Sequence, residues 1–221
     1  MSITAWSYSR WDTYRTCPLR AKFLYVDKLA EPKGPAMDRG IKIHKEIEKY
    51  LREGGRQPAC IAPMKEKYRE LRKLKPLVEK EVAFDVNWNQ VGWFDKAAWC
   101  RVKVDALVQP DDVRTTVFVI DHKSGKISEG KYDDQVELYG LTGLILTPQA
   151  ATAAGELWFL EHNKIYPEVP VLYLQKDLKL LKKKWVANVK GMLTDTRFEP
   201  RPGNYCRWCH FRKSNGGPCQ Y

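Results

Sequence analysis

Five polar residues fall where the surrounding hydrophobic pattern asks for apolar ones: His44, Asp105, Asp121, Lys123 and Gln135. Asp121 and Lys123 close the apolar run VFVIDHK two residues apart, so on a strand they project from one face. Asp105 sits in a second alternating stretch, RVKVDALV. Two carboxylates on neighbouring strands repel each other unless a cation lies between them, and hard oxygen ligands select Mg2+ or Mn2+. An imidazole from a packed helix, His44, completes such a site and tilts it toward Mn2+. Lys123 beside it would orient or deprotonate an attacking water and stabilise negative charge at a phosphate. The chemistry implied is phosphodiester hydrolysis. Each residue also has a plainer reading: a hydrogen-bonded core histidine, a solvated acid, a surface ion pair worth little. That account has to be invoked five times, whereas one geometry explains the set.

These side chains need elements to hold them. SYSRWDTYRTCPLRAKFLYVDKL reads as a helix capped by Ser7 or Ser9, broken or kinked at Pro18, with Cys17 at a helix end. After a Pro/Gly patch, Met37, Ile41, His44, Ile47 and Leu51 recur at helical spacing and place His44 on an inward stripe. A basic connecting segment, KEKYRELRKLK, follows. EKEVAFDVNW, RVKVDALV and TTVFVIDHK then read as strands, the last two as a hairpin through QPDD. Residues 133–146 are helical by pattern, with Gln135 and Tyr139 on one face. GELWFLEHNK and EVPVLYL suggest two more strands. Leu178, Leu181, Trp185, Val189 and Met192 mark an amphipathic helix with a lysine-rich outer face. The tail is too rich in Gly, Pro and Cys to be regular. The sum is a mixed α/β core with helices before and after it.

At 221 residues the chain is long enough for one sizeable core and too short for two generous domains. Its 38 Lys plus Arg against 27 Asp plus Glu leave a formal charge of +11, which favours a polyanionic partner, nucleic acid ahead of an anionic membrane. No apolar run approaches the ~20 residues that span a bilayer, and the amino terminus carries no hydrophobic signal core. A cytoplasmic protein is expected.

The ordered set Gly40-x3-His44, Asp105, Asp121-His122-Lys123 and Gln135-x3-Tyr139 resembles the PD-(D/E)XK nuclease superfamily in its RecB-like branch. Close relatives would be the CRISPR-associated RecB-like exonucleases and the nuclease domain of AddB-type recombination enzymes. The opening helix shares the likeness, which covers nearly the whole chain. The resemblance implies an α/β fold, a restriction-endonuclease-like mixed β-sheet flanked by helices. It also implies a single nuclease domain over 1–221, with terminal segments 1–35 and 195–221 joined by a cysteine-ligated cluster around a core at 36–194. His44, Asp105 and Asp121 become metal ligands, with the backbone carbonyl of His122. Lys123 becomes the catalytic lysine, and Gln135 and Tyr139 position the metal-bound water, the lysine or the DNA backbone. Glu81 matches an acidic position on the first core strand. The His122 side chain points away on the alternating pattern and is structural.

Six cysteines supply an independent expectation. In a reducing compartment grouped cysteines act as ligands more than as disulfides. Cys206, Cys209 and Cys219 form C-x2-C-x9-C, and Cys17 is the distant fourth that would tie the chain ends together. In the RecB-like branch this arrangement resembles an iron-sulfur staple holding a 4Fe-4S cluster by four thiolates. The last interval is longer than the family's. Zinc on the same thiolates is the alternative, with His210 a substitute ligand. Cys60 and Cys100 read as ordinary buried thiols.

The resemblance points to DNA ends or single-stranded DNA and to exonuclease action, in repair, recombination, or viral or mobile-element processing. Basic segments at 65–75 and 176–185 could line a phosphate groove, and Trp6, Trp11, Tyr14, Trp88, Trp93 and Trp208 could stack on bases. Core packing is the plainer role for such aromatics. No G-x4-G-K-[ST] loop is present, so unwinding would need a helicase or recombination partner. Two other classes stand beside the nuclease: a non-catalytic nucleic-acid-binding module, and a cluster-bearing structural adaptor that keeps the fold.

Overall fold

The computed structural model describes residues 2–32, 34–109, 116–125, 127 and 132–221. Ser7 caps α1 (Tyr8–Thr16), its hydroxyl accepting the Arg10 N–H at 3.4 Å. Cys17 adopts an extended conformation between α1 and α2 (Pro18–Tyr25), so Pro18 opens a second helix instead of kinking one. Next comes α3 (Pro35–Glu53), whose buried face is Ile43, Ile47, Tyr50 and Leu51. The inward stripe is therefore rotated from the one the spacing suggests: Met37 and Ile41 are exposed, and His44 sits half-buried at the edge of the buried face. The basic connecting segment is itself a helix, α4 (Lys65–Lys73), anchored through buried Tyr68 and Leu71.

Among the described residues seven strands form one sheet: β1 (Leu77–Phe84), β2 (Gln90–Val91), β3 (Cys100–Val108), β4 (Thr116–Lys123), β5 (Thr152–Phe159), β6 (Lys164–Tyr166) and β7 (Tyr173–Leu174). The order is β2-β1-β3-β4-β5-β6, with β7 also paired to β5. Among the described strands only β4 and β5 pair in parallel, joined by the crossover helix α5 (Asp133–Leu146). The turn at QPDD lies largely outside the described residues, but β3 and β4 pair antiparallel as expected of a hairpin. Of EVPVLYL, only Tyr173 and Leu174 are strand. Pro170 lacks the N–H a ladder requires, and Val169, Val171 and Leu172 are left exposed.

Helix α5 packs on one face of the sheet with α1 and α6 (Leu178–Thr194), while α3 and α4 cover the other. Gly155 on β5 allows the close approach of α5: a Cβ there would lie 2.3 Å from the Val136 carbonyl oxygen and 2.8 Å from the Tyr139 Cβ. The amino-terminal segment joins the start of β3, Trp6 exchanging backbone bonds with Trp99 and Arg101 at 2.8 Å each. Around it Trp6, Trp11, Trp88, Trp99 and Trp185 form one aromatic cluster. Trp6, Trp11 and Trp88 are thus core, where the sequence also offered them as stacking platforms. No helix among the described residues is long and apolar enough to cross a membrane.

Candidate active site

On β1 and β3 the alternation of side chains breaks at one paired position. Val82, Phe84, Val102 and Val104 face the α5 layer, whereas Val78, Ala106 and Val108 face the α3 layer, although an unbroken strand would set each strand's even-numbered residues on one side. The break falls at Glu79, which has φ +50, and at Asp105, which the β1–β3 register sets opposite it. Left-handed backbone at a non-glycine residue is strained and persists where surrounding structure imposes it. Here it accompanies two acids beside the cleft instead of one.

The Asp105 carboxylate is buried and doubly engaged. Its Oδ2 accepts the backbone N–H of His122 at 2.7 Å, and its Oδ1 lies 3.3 Å from His44 Nδ1. The same imidazole nitrogen is 3.7 Å from Glu79 Oε1, and Glu79 Oε2 is 2.6 Å from the Lys103 ammonium. Among the described residues, His44, Glu79 and Asp105 form the one group of three His, Cys, Asp or Glu side chains whose ligating atoms lie within 4.8 Å of one another. Asp121 stands beside this group on β4. Tyr139 donates its hydroxyl to Asp121 Oδ1 at 2.6 Å, and the Gln135 amide donates to that hydroxyl at 2.9 Å. Lys123 Nζ makes an ion-pair contact of 2.7 Å with Asp121 Oδ2, an oxygen that is buried without a hydrogen bond of good geometry among the described residues.

The electrostatics follow from this crowding. Asp105, with Glu79 second, holds the His44 imidazolium so firmly that its pKa rises to about 10. Burial pushes the Asp105 carboxyl up, but the His44 contact, with His122, more than reverses it and leaves the group below the ordinary range. Glu79 is likewise lowered, its burial outweighed by His44 and Lys103. Burial dominates at Asp121, which is raised despite Lys123, with the Asp105 charge adding to the rise. His122 points to the opposite face, where its Nδ1 meets the Tyr68 hydroxyl at 2.9 Å, and burial lowers its pKa to about 4.

The structure thus gathers His44, Asp105, Asp121, Lys123, Gln135 and Tyr139 along one cleft of about 960 Å³. It keeps the His122 ring out, as alternation requires. Glu79 joins the group without having been foreseen; Glu81, two residues on, is exposed and does not line the cleft. A regular strand would place both acids on one face, so the pattern carries no signal that separates them. No residue of α4 or α6 lines this cleft, whereas Trp93 does.

At the chain ends Phe23 meets Phe211 at 5.3 Å between ring centroids, and Arg201 reaches the Arg15 carbonyl at 2.6 Å. The Cys209 thiol feels both Cys17 and Cys219, while the Tyr205 hydroxyl feels Cys17 and Cys206, so the four share one neighbourhood. No three of their sulfurs lie within 4.8 Å of one another. Cys100 is buried and Cys60 partly so.

The donor set fits a hard divalent cation. Glu79, Asp105 and Asp121 concentrate negative charge, one buried Asp121 oxygen lacks a proper donor, and the His44 proton occupies the position where a cation would neutralise the two nearest acids. A mixed sheet that collects an imidazole, three carboxylates and a lysine beside an open cleft has the make-up of a metal-dependent hydrolytic core. The family profile of the PD-(D/E)XK nuclease superfamily matches residues 5–101 and 68–214, and the chain belongs to that superfamily. Nucleic acid is the substrate this membership implies. None of the curated proteins compared matches the sequence. Eight solved chains match in structure. Among them, the crystal structure of SSO0001 has a TM-score of 0.50 over 96% of this chain and 85% of that one, at 16% identity, a likeness of fold alone.

Proposed function

We propose that this chain is a Mg2+- or Mn2+-dependent deoxyribonuclease that works as an exonuclease on DNA ends or single-stranded DNA, in repair, recombination, or viral or mobile-element processing. One observation carries the reading: the paired break in β1 and β3 sets Glu79 and Asp105 around His44, with the Asp121–Lys123 pair alongside. His44, Glu79, Asp105 and Asp121 would hold the cation, with the His122 carbonyl as the expected backbone ligand. The cation would supply positive charge that acidifies water and offsets charge on the phosphate.

The chain's own groups do the rest. The His122 N–H fixes the Asp105 carboxylate, and the Gln135–Tyr139 relay fixes Asp121. Lys123, tethered at 2.7 Å, is placed to orient water and to donate to a phosphate oxygen as negative charge develops there. Exonuclease action and a preference for unpaired DNA rest on the sequence likeness to the RecB-like branch.

The same reading takes residues 1–221 as one nuclease domain, cytoplasmic, with Cys17, Cys206, Cys209 and Cys219 holding a 4Fe-4S cluster. Two of these sulfurs already take backbone N–H donors, Gly203 to Cys206 at 3.3 Å and Phe211 to Cys209, an arrangement that suits thiolate ligands. Tetrahedral zinc on the same four thiolates is the alternative. Iron and sulfide analysis of anaerobically purified protein tests this apart from catalysis; stoichiometric zinc without iron would reverse the choice.

The central test is incubation of that protein with end-labelled single- and double-stranded DNA, with and without Mn2+. Release of nucleotides from an end is expected. Failure to cleave either substrate with any divalent metal would leave the nucleic-acid-binding module as the better account.

A further inference from the structure

The cleft extends from the carboxylates toward the amino-terminal segment, where Arg10 and Arg101 line its wall. Both are half-buried and close enough to repel: the Arg101 charge helps burial hold the Arg10 pKa below its ordinary value. Each is fixed by a main-chain carbonyl, Arg10 Nη1 on Ala5 at 2.9 Å and Arg101 Nε on Trp93 at 2.8 Å. Each also lies over a ring, Arg10 at 5.1 Å from the Tyr25 centroid and Arg101 at 5.8 Å from that of Trp93. Among the described residues no carboxylate stands within 4.0 Å of either guanidinium, whereas Lys103 and Lys123, in the same cleft, are both paired with acids. Neither terminal nitrogen of Arg101 has an acceptor among those residues.

Keeping two like charges adjacent, partly desolvated and without an acid is unfavourable unless an anion joins them. A guanidinium fork held by a carbonyl at one edge leaves its other edge preorganised for a phosphate. Arg101 lies four residues from Asp105 on β3, about 13 Å along the strand. The pair therefore addresses a different phosphate from the one at the carboxylates. Trp93 lines the cleft beside Arg101 and offers a face to an unpaired base.

We infer that Arg10 and Arg101, with Trp93, form a subsite that grips the backbone of single-stranded DNA beyond the scissile phosphate and sets the strand's path into the carboxylate site. This rests on the nuclease reading for its substrate. Binding can nevertheless be measured without cleavage.

The test is fluorescence anisotropy of labelled oligothymidylate with the full chain in EDTA over a range of salt. Arg101→Gln and Arg10→Gln should each weaken binding roughly tenfold at low salt. Each should also flatten the dependence of log K on log salt by about 0.7. Arg101→Lys should keep the salt slope while losing part of the affinity, because the charge survives and the fork does not. Lys164→Gln, on β6 outside the cleft, should alter neither. Wild-type affinity and slope in folded Arg10→Gln and Arg101→Gln, checked by circular dichroism, would overturn the subsite. Unchanged binding in variants of a protein that cleaves DNA removes the subsite and leaves the nuclease; loss of binding in a protein that never cleaves does the reverse.

Discussion

The Asp105 carboxylate accepts the backbone N–H of His122 at 2.7 Å, so a β3 side chain stands in for the β3 backbone carbonyl that a ladder would offer to β4. The β3–β4 backbone pairs end one step earlier, at Ala106 and Ile120. The carboxylate thereby completes the sheet and remains rigid, with its other oxygen turned to His44. Asp105→Asn can preserve the N–H bond through its amide oxygen while removing the charge. Nuclease activity should fall at least about a hundredfold with little change in melting temperature, read by end-labelled DNA and thermal denaturation. A large loss of stability with activity retained would make Asp105 structural.

His44 links pH to both stability and metal affinity. Its folded pKa of about 10 lies above the usual 6.5, so without metal its contribution to stability is fully present below pH 6.5 and is lost as pH rises toward 10. A cation bound at the same ring must displace that proton. The rise in melting temperature on adding Mn2+ should therefore grow between pH 6 and pH 9, and should lose that trend in His44→Ala. A metal-induced shift that is flat with pH would exclude His44 as a ligand.

Tyr139 acts on the site through Asp121. Its hydroxyl favours the carboxylate form against a burial that already raises the pKa. Tyr139→Phe should push the Asp121 pKa higher still and move the acid limb of the pH–rate profile to higher pH. An unshifted limb with a lower plateau would assign the tyrosine to substrate contact instead.

His122 makes the fold sensitive to acid. Its pKa of about 4 lies below the unfolded value, so between pH 6.5 and 4 the unfolded chain takes up a proton that the native state refuses. Urea denaturation should show stability falling across that window, by up to about 3 kcal/mol from this group. His122→Gln should flatten the fall.

Gly155 controls the distance between α5 and β5. Adding one methyl group would press on the Val136 carbonyl and the Tyr139 Cβ, and Gly155→Ala should cost about 1–3 kcal/mol by chemical denaturation. Activity should fall with it even where the protein stays folded, because Gln135 and Tyr139 ride on that helix. Full activity in the folded variant would show that the relay tolerates displacement.

Much of this was legible in the residues. Alternating or apolar runs mark β1, β3, β4 and β5, the 3.6 period marks α3, α5 and α6, and alternation alone turns the His122 ring away from Asp121 and Lys123. The order His44, Asp105, Asp121, Lys123, Gln135, Tyr139 names side chains that the fold brings to one cleft. Other features were not legible, because they depend on contacts distant in sequence. Trp6, Trp11 and Trp88, offered by the sequence as stacking platforms, are buried because the amino-terminal segment lies beside β3. Helix α4 was obscured by its charge, with Tyr68 and Leu71 as its buried anchors. The clearest case is Glu79 against Glu81. A regular strand puts the two acids on one face, and composition cannot choose between them. The left-handed turn of the backbone at Glu79, matched across the register at Asp105, breaks the alternation, so that one glutamate lines the site and the other faces solvent. Local spacing determined which residue types were available for the chemistry. Only the pairing of strands far apart in sequence decided which acid would take part.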